Sequence, residues 1–361
     1  MKAAVCYEFG KPLVIEELSL RPPRSDEVKV KVAATAICHS DIHDINGDFG
    51  GKLPFVGGHE TAGRVEEVGA GVTCVKPGDP VIASLLEACG TCFYCTTGMP
   101  YFCETKVTYD VEGTLANQKG EGVIQKARVG GFAEYVVVHE SQLVKIAGDF
   151  PMDLASLLAC GVITGFGAVV NRAKVPPLSS VVVIGTGGVG LNAVQGAIIS
   201  GANPIIAVDI LDSKLERARE FGATHGINAK ATDPVTAVKE LTGGRGADYA
   251  FVTVGSSAAL EQAFSMLARR GTAVMVGLPP VSDPMLSLPA AEFALTEKTL
   301  TGGFMGSARL SIDIPRLIDL YKAGRYRLDE LVAGRYPLDR INEALESSAA
   351  GEALRNVIVF D

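Results

Sequence analysis

The sequence predicts a β-rich, barrel-like domain joined to an α/β domain built on a doubly wound parallel sheet. Three observations carry this. Short apolar runs broken by glycine and proline fill the chain to about residue 155. From about residue 160 the rhythm becomes apolar strand followed by helix, repeated, as in βαβ units. The 361 residues, at roughly 150 per domain, suffice for two separate cores.

The elements follow in chain order. Residues 28–32, Val-Lys-Val-Lys-Val, alternate strictly, and 63–68 do so loosely. Pro80–Ala83 and residues 134–138 read as further strands, with turns at 69–71 and 77–79. Residues 180–184 form a continuous apolar run suited to a central strand covered on both faces. A helix is expected from Gly188, with Leu191, Val194, Ile198 and Ile199 at helical spacing. A strand at 204–208, a helix at 213–221 and strands at 249–254 and 272–276 continue the alternation. The tail, from about residue 305, carries a helix at 312–323 and ends in an apolar strand at 357–360.

Composition narrows the function classes. Hydrophobic residues make up 47% of the chain and charged residues 20%, with a mean hydropathy of +0.25. That apolar content excludes polar disorder. No apolar run reaches the ~18 residues of a membrane helix. The start, MKAAVCYEFG, has no apolar signal region, so a cytoplasmic protein without a membrane partner is expected. Lys plus Arg number 33 against 41 Asp plus Glu, a net charge of −8. This leaves no basic face for phosphate neutralisation and excludes a dedicated nucleic-acid binder. The 41 glycines exceed the usual ~7% and promise tight turns.

Four of eight cysteines cluster as Cys89-Gly-Thr-Cys92-Phe-Tyr-Cys95, then Cys103 after seven intervening residues. Four thiolates around one cation make a closed tetrahedral site, the structural zinc arrangement. An iron–sulfur cluster is the rival reading, but its motif continues with a cysteine after three residues and then proline. A disulfide pair is the third reading, against a reducing cytoplasm. Cys6 and Cys74 read as small buried hydrophobes. His139 and His225 have no partner motif and read as structural or surface residues.

Gly185-Thr-Gly187-Gly188-Val189-Gly190 is a G-x-G-x-x-G run placed between a predicted strand and a predicted helix. Such glycines let the backbone turn and approach a pyrophosphate at the helix N-terminus. Asp209 ends the next strand, nineteen residues past Gly190, where a carboxylate would accept the adenosine ribose hydroxyls. It would repel a 2′-phosphate, so NAD rather than NADP is expected. The competing reading is a tight turn with a capping aspartate.

A second constellation lies outside the cysteine cluster: Cys38-His39-Ser40-Asp41, Gly58-His59-Glu60 and Cys160-Gly161. Singly these are ordinary residues; together they offer two thiolates and one imidazole, leaving one position open as a catalytic zinc requires. With the four-cysteine lobe and the glycine loop in this order, the chain resembles the zinc-dependent medium-chain alcohol dehydrogenases, within the medium-chain dehydrogenase/reductase superfamily. The resemblance covers essentially its whole length.

The resemblance implies a GroES-like catalytic domain over 1–161 with a structural-zinc lobe at about 86–104. It implies a Rossmann NAD-binding domain over 162–304, a return to the catalytic domain over 305–361, and an active site in the cleft between domains. Cys38, His59 and Cys160 would hold the catalytic zinc, Cys89, Cys92, Cys95 and Cys103 the structural one. Glu60 would lie beside the catalytic metal and Asp41 would orient His59. Ser40, where relatives carry Thr or Ser, would take the alcohol proton and His43 would pass it to solvent. His39 and Arg355 would meet the pyrophosphate, Lys214 the ribose, Thr164 the nicotinamide side, and Val189 and Leu278 the coenzyme.

The implied reaction is NAD-dependent oxidation of an alcohol to an aldehyde or ketone, and its reverse. Zinc acts as Lewis acid on the alcohol and a hydride passes to the nicotinamide. Phe49, Leu85, Phe132, Leu278 and Phe304 match wall positions, and an apolar wall favours a primary alkyl or aromatic alcohol. A homodimer or homotetramer is expected. Two enzymatic alternatives stand beside this: a carrier-thiol-linked formaldehyde dehydrogenase, against which Val107 counts because a basic residue would be wanted there, and an aldehyde dismutase holding its NAD tightly. A non-enzymatic alternative is an NAD-binding redox sensor or scaffold.

Overall fold

The computed structural model describes residues 1–104, 108–283, 285–351 and 353–361; Val107 lies outside them. The chain divides into two compact units, one of residues 1–161 with 309–361 and one of residues 162–308.

The first unit holds two sheets. One runs in the spatial order Val14–Glu17, Lys2–Cys6, Phe55–Val56, Gly122–Gln125, Val111–Ala116, Ser19–Leu20. The other is organised by the long strand Glu27–Ala36. Val28, Val30 and Val32 on one face are at most 1% exposed and join Val65, Val81, Val136 and Val138 in a valine core. Lys29 and Lys31 fall on the opposite face, as a period of two requires. Glu60–Val68 pairs antiparallel along one edge of this strand. The other edge is shared: Tyr135–His139 covers its first half and Arg355–Val359 its end. The chain's last strand is therefore built into the centre of its first unit.

The second unit is a six-stranded parallel sheet. Val181–Ile184, Ile205–Asp209, His225–Asn228, Ala247–Val252, Leu267–Met275 and Thr299–Gly302 lie in the order third, second, first, fourth, fifth, sixth. Helices Gly188–Ile199 and Asp212–Glu220 follow its first two strands. The strand order reverses beside Val181–Ile184, and the glycine loop leaves the carboxyl end of that strand, where open α/β sheets bind their ligands. The Phe304–Ser307 turn belongs to this unit, because Gly306 lies against the backbone of Ile163 and Thr164 where a Cβ would not fit. Among the described residues, no helix is long and apolar enough to cross a membrane.

Candidate metal centres and nucleotide loop

The Glu27–Ala36 strand delivers Cys38 to the start of the helix His39–Asn46. The turn before Glu60–Val68 delivers His59, and Cys160 sits just before the helix Gly161–Gly167. One ligand atom from each of Cys38, His59, Glu60 and Cys160 lies within 4.8 Å of the others. His59, Glu60 and Cys160 are buried.

Asp41 ties the two ligand segments together. Its Oδ2 accepts the Cys38 N–H at 2.9 Å, and its Oδ1 accepts the Gly58 N–H at 3.1 Å and His59 Nδ1 at 3.1 Å. With Nδ1 so engaged, Nε2 of His59 turns toward the cluster, and Ser40 Oγ lies 3.5 Å from it. Gly58, at φ +87°, makes this turn, and a Cβ there would overlap the Phe132 ring.

Glu60 is 0% exposed. Its Oε1 accepts the Gly161 N–H at 3.1 Å, and its Oε2 pairs with the buried Arg355 guanidinium. A Cβ at Gly161 would overlap that guanidinium, so the glycine after Cys160 makes room for the ion pair.

Electrostatics concentrates in this cluster. Burial pushes the Glu60 carboxyl up to about 7, with Arg355 pulling the other way. Burial disfavours a charged His59 ring, yet the Asp41 carboxylate outweighs it and holds His59 well above its usual range. The hydrogen bond from Cys160, with His59 nearby, holds Cys38 far below the ordinary thiol range against burial. That same bond, together with burial, raises Cys160. Two soft sulfurs, an imidazole nitrogen and a carboxylate suit zinc.

The sulfurs of Cys89, Cys92, Cys95 and Cys103 also lie within 4.8 Å of one another. The Cys89 and Cys95 sulfurs are 4.0 Å apart, close to the ~3.8 Å that Zn–S bonds of ~2.3 Å impose on a tetrahedron. Backbone N–H groups of Thr91 and Cys92 point at Cys89 Sγ, and that of Cys89 at Cys103 Sγ.

In the second unit Gly185 takes φ +85°, and a Cβ at Gly190 would overlap the Gly185 carbonyl. Gly187 caps the Gly188–Ile199 helix, with open space where its Cβ would be. Asp209 reaches the loop: its Oδ2 accepts Thr186 N–H and Oγ at 2.8 and 3.0 Å, and its Oδ1 accepts Ile210 and Leu211 N–H. Thr186 was not legible as a partner of Asp209; its place inside the glycine string was the only available signal. Lys214 is on the next helix and its carbonyl accepts Thr186 Oγ at 3.3 Å. Thr164 is buried, its Oγ1 3.7 Å from Met305 Sδ.

The remaining expected residues divide. His43 pairs with Asp48, Nδ1 to Oδ2 at 2.7 Å. His39 is exposed at the first helical position. Arg355, expected at the pyrophosphate, is buried against Glu60; the last strand carries it there. Phe49, Leu85 and Phe304 are half-buried and Leu278 is exposed. Phe132 is fully enclosed, its ring filling the space over Gly57 and Gly58 beside the His59 loop. Cys74 is a correction, being exposed in the turn before Pro80–Ala83, whereas Cys6 is buried as expected.

Comparison with known proteins agrees with this geometry. Residues 24–148 match the alcohol dehydrogenase GroES-like domain and residues 188–323 the zinc-binding dehydrogenase domain. The chain is 41% identical over 366 residues to the NDMA-dependent alcohol dehydrogenase of Amycolatopsis methanolica, covering 99% of this chain and 98% of that one. The crystal structure of an alcohol dehydrogenase zinc-binding domain protein from Burkholderia ambifaria matches with TM-score 0.95 and 37% identity, covering 100% of this chain and 98% of that one. That of benzyl alcohol dehydrogenase from Acinetobacter calcoaceticus matches with TM-score 0.93 and 37% identity, covering 100% and 99%. The chain belongs to the zinc-type medium-chain alcohol dehydrogenase family, a GroES-like plus Rossmann architecture. It is an enzyme of the alcohol dehydrogenase class, which sets aside the scaffold alternative.

Proposed function

We propose that this enzyme oxidises a primary alkyl or aromatic alcohol to the aldehyde, and runs the reverse, with NAD as hydride acceptor. One zinc would be held by Cys38, His59 and Cys160 with Glu60 beside it, and a second by Cys89, Cys92, Cys95 and Cys103. The observation that carries the reading is the convergence of two thiols, an imidazole and a carboxylate on one point, braced by Asp41. The four-cysteine lobe offers four thiolates, a complete tetrahedral set, and reads as structural.

Bound at the first cluster, zinc supplies Lewis acidity toward an alcohol oxygen. The chain's own groups do the rest. Asp41 holds His59 in the tautomer that leaves Nε2 for the metal. Arg355 balances the charge of Glu60 inside the core. Ser40 takes the alcohol proton and His43 passes it on. The Gly185–Gly190 loop, open at Gly187, offers N–H groups to a pyrophosphate, and Asp209 offers a carboxylate to the adenosine ribose. NAD is favoured over NADP because a 2′-phosphate would face that carboxylate. The similarity to a benzyl alcohol dehydrogenase supports an aromatic substrate.

Absorbance of reduced nicotinamide over a panel of alcohols tests this. Turnover is expected with NAD, strongest for benzyl-type or medium alkyl primary alcohols. A zinc-loaded protein that reduces no NAD with any of them refutes it. A second reading is an aldehyde dismutase that keeps NAD bound; the name of the A. methanolica relative, an NDMA-dependent alcohol dehydrogenase, favours an acceptor other than free NAD. Stoichiometric nucleotide released only on denaturation, with equal alcohol and acid formed from an aldehyde, would select it.

A further inference from the structure

The helix His39–Asn46 ends in a turn that brings a carboxylate to His43. Gly47 takes φ +81°, its N–H donates to the Asp44 carbonyl at 3.1 Å, and the Asp48 N–H donates back to the His43 carbonyl at 2.9 Å. These are the two bonds of a Schellman ending. Phe9 packs on Gly47 so closely that a Cβ would overlap its ring, which fixes the turn from outside. The turn sets Asp48 Oδ2 2.7 Å from His43 Nδ1. The Phe49 ring lies 5.1 Å from the imidazole, centre to centre. Backbone bonds already close the helix end, so the side-chain bond is not needed for capping.

A carboxylate only accepts, so Nδ1 carries the hydrogen and Nε2 keeps its lone pair. We propose that Asp48 is a positioning residue for proton transfer: it fixes His43 in the Nδ1–H tautomer and so leaves Nε2 to receive the proton. This rests on the alcohol dehydrogenase reading above. The proton leaving the alcohol hydroxyl passes by way of Ser40 and ends on His43 Nε2. Nδ1–H stays bonded to Asp48, which remains a carboxylate throughout. The imidazolium then loses one proton to water and the ring returns to the Nδ1–H form. Hydride transfer is a separate event and no electrons move in this one. His43 and Asp48 are 30% and 37% exposed, so water reaches the pair.

Nitrogen-15 spectra of histidine-labelled protein, which has five histidines, read the tautomer directly. The wild type is expected to show His43 protonated at Nδ1, and Asp48→Ala to shift it toward Nε2–H. In steady state, Asp48→Asn and Asp48→Ala should lower kcat for alcohol oxidation about tenfold or more, with KM changed less than about twofold. In a His43→Gln background Asp48→Asn should add less than about twofold, since the pair acts as a unit. A wild-type His43 with Nε2–H, or an Asp48→Asn enzyme with wild-type kcat, overturns the proposal. A wild type that turns over no alcohol overturns the dehydrogenase reading instead, and the spectra still report whether Asp48 orients the ring.

Discussion

Asp44, one residue beyond His43 and on the same helix, shows how a single buried charge sets a pH response. Its side chain is 15% exposed and lies 3.3 Å from Lys126 Nζ, which also reaches Asp110 at 3.2 Å. Burial pushes the Asp44 carboxyl up to about 6, and Lys126 only partly offsets it. The folded chain therefore holds this proton more tightly than the unfolded one. Asp44 lowers stability as pH rises from about 4 to about 6, and the loss stays constant above that window. Asp44→Asn is expected to be more stable than wild type at pH 7 by about 1–3 kcal/mol, with the gap closing toward pH 4. Urea titrations at several pH values measure it; a gap that widens toward acid contradicts the assignment. At this scale the candidate metal donors were legible because Cys and His are rare and stand at fixed spacing. The Glu60–Arg355 pair was not: each residue was singled out for another role, but 295 residues separate them and nothing local joins them. Asp48 carried only a faint signal, the Gly47 before it.

Between residue and molecule stands the cysteine lobe, an element with almost no core of its own. Its helix Phe93–Thr96 is four residues long, no residue of that helix is buried, and Phe93 and Phe102 are 64% and 47% exposed. Such a segment folds on its metal or not at all. Cys95→Ser is expected to drop zinc from about two to about one per chain and to lower Tm by several degrees. Specific activity of the protein that stays folded should hold within about twofold. Cys38→Ser should do the reverse, abolishing turnover while the fold and about half the zinc persist. Metal analysis beside thermal melts decides; equal loss of activity in both variants would erase the division of roles. Elements were legible where apolar residues repeat. The Glu27–Ala36 strand was seen only to Val32, since Ala34 and Ala36 give no alternation though they continue the ladder past an irregularity at Ala33. His225–Asn228 was invisible, with Ile227 its only buried residue; it is a strand because Ile205–Asp209 offers it an edge. Residues 111–116 hide their strand behind Glu112 and a left-handed Gly113 at φ +76°.

The molecule as a whole is two cores written by an interrupted chain, and this predicts which pieces fold alone. Residues 162–308 hold all six strands of their sheet and a contiguous core from Val182 to Ala273. Residues 1–161 do not own theirs. The Arg355–Val359 strand fills the edge of Glu27–Ala36, and Val357 and Ile358 are 0% exposed within it. Leu338, Ile341 and Ala344, from the same tail, complete the core beside Phe55 and Phe132. Burying each large apolar side chain contributes about 2 kcal/mol, so losing four approaches the entire ~5–15 kcal/mol of a typical domain. Removing the tail also strips Arg355 from Glu60 and leaves a charge in the interior, a further cost of about 3–5 kcal/mol. A 162–308 fragment is expected to melt cooperatively, and a 1–161 fragment to lack a cooperative transition. Mixing the latter with a separately made 309–361 chain should restore the transition, because the tail's strands Val332–Pro337 and Arg355–Val359 pair with each other and can dock together on the edge of Glu27–Ala36 in trans. Circular dichroism melts of the three samples are sufficient. A cooperatively folded 1–161 fragment would show that the last strand decorates a finished domain, and the buried ion pair beneath the metal ligands would then have to be explained by something other than folding.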